Sequence, residues 1–70
     1  MRKSHRYTIQ KRVVINMIGG NAIEGVIVDQ RGPLLIVKGA QLHEQTADQP
    51  AHIDGEALID VSHIDFIQAF

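Results

Sequence analysis

From Val13 onward, apolar and polar positions alternate with a period of two, and glycine and proline interrupt the alternation at regular intervals. Val13, Ile15 and Met17 fall on one side of a first predicted strand and Val14, Asn16 and Ile18 on the other. Period-two patterning in β-branched residues is the signature of a half-buried strand. Gly19-Gly20-Asn21 offers the positive-φ positions of a tight hairpin. A second strand follows from Ala22 to about Gln30, with Ile23 and Ile27 on its inner face and Gly25 a candidate third. A glycine inside a strand marks a sharp bend or a close backbone approach, which a short barrel needs at its corner.

Arg31-Gly32-Pro33 reads as the next turn, and because Pro33 has no N–H for a ladder, the third strand is predicted to start at or after Leu34. Its Leu34-Leu35-Ile36-Val37 run is apolar on both faces, so both faces need cover. The strand extends to about His43. The polar stretch from Thr46 to Asp54, with Pro50 inside it, is the one long loop expected. Ala57 to Asp60 forms a short fourth strand, Val61-Ser62-His63 a tight turn in which the Ser62 side chain bonds the backbone, and Ile64 to Phe70 a fifth strand. The segment from Ser4 to Arg12 takes no assignment from its pattern.

A chain of 70 residues has room for one domain, and a domain of this size buries only about 60% of the surface its unfolded chain exposes. With no cysteine, neither a disulfide nor a thiolate metal site adds stability, and an intracellular setting is favoured. Association of subunits is the remaining source of stability. Five short strands close only by severe bending, into an all-β, five-stranded, strongly bent open barrel of the SH3-like kind, and such a barrel leaves the edges of strands four and five unpaired. Pairing those edges between copies gives a homo-oligomeric ring, with Leu58, Ile59, Ile64, Phe66 and Gln68 as the expected interface. The longest apolar run has four residues, far short of the roughly 20 a spanning helix needs. No apolar h-region follows the basic start, so no signal peptide is read. The expectation is a cytoplasmic protein, in the host cytoplasm if the source is viral.

Charge divides the chain. The first twelve residues hold five of its seven basic side chains and no acid, for +5, whereas the remainder carries Arg31 and Lys38 against eight acids, for −6. Residues 1–12 are thus a basic arm and 13–70 the barrel. A basic arm of this kind meets a polyanion or serves as a solvated tail. Tyr7 is the only aromatic among the basic residues, which suits stacking on a base. The candidate nucleic-acid contacts are Arg2, Lys3, Arg6, Tyr7, Lys11 and Arg12. No two of His5, His43, His52 and His63 stand at a metal-ligand spacing, so no metal and no cofactor is expected. Asp60 and Asp65 flank one turn without a nucleophile or base beside them, and Gly19-Gly20 lacks the helix and the Lys-Ser/Thr pair of a phosphate loop, so an enzyme is not expected.

The segment from Val13 to Ile27, with its hairpin glycine and a second glycine five positions later, resembles the first motif of the Sm/Lsm/Hfq family. Leu34 to Ala40 is similar to the end of that motif, and Ile53-Asp54-Gly55 followed by Leu58-Ile59 and Ile64 to the second. The resemblance spans about residues 13 to 68 and implies an Sm-like barrel, a ring and single-stranded RNA as ligand. It departs at the base pocket. Leu34, Pro33 and Asp54 stand where the family has an amide, a stacking residue and a clamping arginine, and Asp60-Val61-Ser62-His63 replaces the Tyr-Lys-His run of the Hfq type. RNA binding by the basic arm is the first reading. The second is a structural or protein-binding ring of the kind a phage-encoded accessory factor would form, with a protein partner of unknown identity.

Overall fold

Between residues 10 and 70, the part of the chain that the computed structural model describes, every alternating segment becomes a strand. The strands are β1 (Arg12–Met17), β2 (Ala22–Arg31), β3 (Leu34–His43), β4 (Ala51–His52), β5 (Glu56–Asp60) and β6 (Ile64–Ala69), with a 3₁₀ turn over Val61–His63. All pairings are antiparallel, and together they make one sheet. β1 lies between β2 and β6, and β2 lies between β1 and β3. The other side of β3 carries both β5, along Leu34 to Lys38, and β4, at Gln41 and Leu42. β4 and β5 therefore lie end to end along one edge. β5 and β6 do not pair with each other, so the sheet is not closed into a barrel.

The alternation decides which side chains form the core. Val13, Ile15, Ile27, Leu35, Val37 and Ala40 are fully buried and Ile59 nearly so, with Ile23, Ile64 and Ile67 packed around them. Ile36 points to the opposite side from Leu35 and Val37, opposite Leu58 in the register, and is only 6% exposed. Both faces of the Leu35 to Val37 run are covered, as its composition requires.

Two irregularities bend the β2–β3 ladder. Glu24 pairs with Gln41 but Val26 pairs with Lys38, so β3 carries an extra residue opposite Gly25. Gly39, within that bulge, has φ +60°, a backbone state that favours glycine. Further along, Ile27 pairs with Val37 and Asp29 with Ile36, which places the extra residue on β2. Gly25 packs so closely that a Cβ would sit 2.6 Å from Val37 Cγ1 and 3.0 Å from the Lys38 carbonyl oxygen. The glycine inside the strand pattern is thus a close approach beside a bulge.

Three expectations need correction. The sheet has six strands, not five, because Ala51 and His52, placed in a long loop by their composition, pair with β3. Ile53, next in the chain, donates its N–H to the Ala40 carbonyl at 2.9 Å and carries the edge on towards β5. At the first hairpin only Gly20 has positive φ. The 3₁₀ turn is capped by Asp60, whose side chain accepts the Ser62 N–H at 2.9 Å; the Ser62 side chain bonds that carboxylate and not the backbone.

Replacing Gly25 with alanine or valine forces Val37 and the β3 backbone apart. The expected loss is about 1–3 kcal/mol, the range for overpacking a filled core. Urea unfolding of the variants beside the wild type measures it, and unchanged stability would place the strain elsewhere.

Candidate functional site

Two regions carry the chemistry that the sequence brings forward: the basic segment that leads into β1, and the two open edges of the sheet. Arg2, Lys3, Arg6 and Tyr7 lie outside the described residues. The chain enters the sheet at Gln10, whose N–H bonds the Ile27 carbonyl at 2.7 Å and whose φ is +67°. Lys11 follows and is exposed.

Arg12 opens β1 and lies diagonally across from Glu24 of β2, since Val14 is directly opposite Glu24. Its Nε donates to Glu24 Oε2 at 3.0 Å and its Nη2 donates to the Gly39 carbonyl at 3.3 Å. The other Glu24 oxygen meets His43 Nε2 at 3.1 Å. One carboxylate thus links the outer faces of β1, β2 and β3 beside the bulge. The Arg12 hydrogen bond, and after it that of His43, holds the Glu24 carboxyl below its ordinary range. Two further described cations are also paired, Arg31 with Asp29 at 3.4 Å and Lys38 with Glu56 at 3.8 Å. Among the described residues, Lys11 is the basic side chain without an ion pair.

The expected interface residues divide by side-chain direction. Leu58 (59% exposed) and Phe66 (56% exposed) project away from the core, one on each open edge, and Gln68 is exposed beside Phe66. Ile59 is a correction: its side chain belongs to the core, and it offers an edge only its backbone. Ile64 also packs against the core and is partly buried. Ile18 and Phe70, at 67% and 73% exposure, add to the open apolar surface outside the expected interface set.

At the positions where the resemblance places a base pocket, the Pro33 carbonyl accepts the Val61 N–H at 2.8 Å and Leu34 pairs with Asp60. Asp54 is fully exposed, with His52 Nε2 3.4 Å from its carboxylate. Among the described residues no group of three or more His, Cys, Asp or Glu side chains is placed to hold a metal ion. No described helix is long and apolar enough to cross a membrane. The Arg12–Glu24–His43 linkage escaped the sequence reading because its members are 12 and 19 residues apart and meet only through the strand register. Compared with models of protein families the chain matches none, and compared with curated proteins it matches none.

Glu24 and Asp60 both have depressed carboxyl pKa values, the second because the Ser62 backbone N–H and then its side chain bond the carboxylate. A carboxyl with a lower pKa in the folded chain stabilises it above the ordinary values of 4.5 for Glu and 3.8 for Asp. That stability is lost as pH falls through the folded-state values. The urea midpoint is therefore expected to fall with acidification below about pH 4.5, and Glu24→Gln to make the fall shallower. Equal acid dependence in the variant and the wild type would show that the Glu24 linkage contributes nothing to folding.

Proposed function

We propose that this chain is an Sm-like module that assembles edge to edge into a homo-oligomeric ring and binds single-stranded RNA through its basic N-terminal segment. The observation that carries the reading is the pair of open edges. β5 offers five residues and β6 six, and each carries a large exposed apolar side chain, Leu58 on one and Phe66 on the other. Unpaired edges of this kind are templates for another strand. Joining β5 of one copy to β6 of the next is a head-to-tail contact, which generates a ring where the rotation closes. The bend at the two irregularities would complete a barrel-like wall in each subunit, and β4 would extend the β5 side of that wall.

RNA enters the reading through charge. The described residues hold four basic against eight acidic side chains, a formal −4, so the body repels a polyanion. Attraction falls to the segment that ends at Lys11, repeated once per subunit around the ring. Binding by phosphate neutralisation reads little sequence and weakens steeply with salt, with a log-log slope near −0.7 per neutralised phosphate on single strands. A cytoplasmic setting and a non-enzymatic role belong to the same proposal.

Asp54 favours a second reading, a ring that binds protein or serves as scaffold. An exposed carboxylate paired with His52 opposes phosphate at the position where the resemblance implies a cation.

The mass of the full chain in solution, together with the ratio of absorbance at 260 and 280 nm after purification without nuclease, tests assembly and RNA at once. A multimer carrying nucleic acid is expected, and Phe66→Asp should yield monomer or insoluble chain. A folded wild-type monomer at micromolar concentration would overturn the ring. Deleting residues 1–6 removes three basic groups per subunit and should flatten the salt slope on poly-U with the ring intact, whereas Asp54→Arg should strengthen binding. Equal slopes and affinities for truncated and full-length rings would leave the scaffold as the better account.

A further inference from the structure

The Arg12 guanidinium is already committed. A guanidinium takes a phosphate through two parallel N–H donors, along either the Nε/Nη2 edge or the Nη1/Nη2 edge. In this sheet Nε is bonded to Glu24 and Nη2 to the Gly39 carbonyl. The Nε/Nη2 edge is therefore blocked at Nε, and one of the two Nη2 N–H groups is taken as well. The charge is cancelled locally as well, because the Glu24 carboxylate lies within 3.0 Å of Nε. Glu24 is in turn held from its other side by His43 and is less exposed than Arg12, at 30% against 43% for the side chains, so it is the better anchored partner. Lys11, one residue earlier, is exposed and carries no such restraint.

We propose that Glu24 is a built-in competitor for the nucleic-acid backbone: it occupies Arg12, so that the basic segment works with its other cations and gains Arg12 only when Glu24 is neutralised. The inference rests on the nucleic-acid reading above. It makes the outer face of β2 a limiter on the affinity of the segment that enters the sheet beside it.

The test is a salt titration of the full chain on labelled poly-U, read by fluorescence anisotropy. Glu24→Gln keeps the size of the side chain and a partner for His43 but removes the charge. It should tighten binding and make the log-log slope more negative by about 0.7, one further phosphate per engaged subunit. Asp48→Asn makes the same change of net charge on an exposed loop and releases no paired cation, so it should leave the slope where it was. Adding Arg12→Gln to Glu24→Gln should abolish the gain. In the wild type, the Arg12 Nε–H resonance should not move when poly-U is added, a readout that holds even where a variant folds poorly.

An unchanged slope in Glu24→Gln, an equal steepening in Asp48→Asn, a gain that survives Arg12→Gln, or a poly-U-induced shift of the wild-type Arg12 resonance would each overturn the competition. Absence of binding by any form at low salt would instead sink the nucleic-acid reading itself, and this inference with it.

Discussion

β3 is paired on either side of its bulge with β2 on one edge and with β4 and β5 on the other, and this arrangement depends on the close approach of Gly25 to the Val37 side chain and to the backbone of Lys38 and Ala40. With no Cβ at Gly25, the two strands approach closely enough for Ala40 to be fully buried and for β3 to take its extra residue at Gly39. A bulge bends the strand that carries it, and this one lies between the part of β3 that pairs with β5 and the part that pairs with β4. It separates β4 from β5 along the same edge, with Ile53 bonded to Ala40 at the join. The Arg12 bond to the Gly39 carbonyl and the Glu24 bridge sit directly over this bend.

The open edges follow from the same geometry. A sheet that bends but does not close keeps two unpaired strands, and a core of seven buried side chains is small for a domain that leaves both exposed. Leu58 and Phe66 lie on opposite edges and both turn away from the core. Assembly would therefore relieve two liabilities together, unpaired backbone and exposed apolar surface. Ile59 shows how sharply the alternation separates the two roles, since it is buried in the core while its neighbour Leu58 is open to solvent.

The long strands were legible because their β-branched residues alternate and their ends are marked by Gly20, Gly32 and Pro33. Pro33 in particular set the start of β3 at Leu34. β4 was illegible for a physical reason: two residues of ordinary composition after a proline become a strand only by docking on Gln41 and Leu42, and no local signal announces that. The Glu24 linkage was hidden in the same way, because the extra residue at Gly39 determines which β3 groups lie beside Glu24. The exposed edge side chains were legible as strand residues, but which of them faced outward required the register at Asn16 and Phe66 and at Ile36 and Leu58. The basic segment was legible only as charge.

The pairing of β1 with β6 joins Val13 to Ala69, so the first and last strands of the sheet are neighbours. β1 to β2 and β2 to β3 are hairpins closed by short turns, which form on local contacts alone. Bringing β6 back to β1 requires the whole intervening chain to be drawn in, and the entropy of that closure is the largest among these pairings. On these grounds the three-strand meander is expected to form first and β6 to dock last. Until it does, Val14 and Asn16 present an unpaired backbone edge. In that order of events the place beside β1 would be open to the β6 of a neighbouring copy as well as to the chain's own, which is the condition for exchanging strands between molecules.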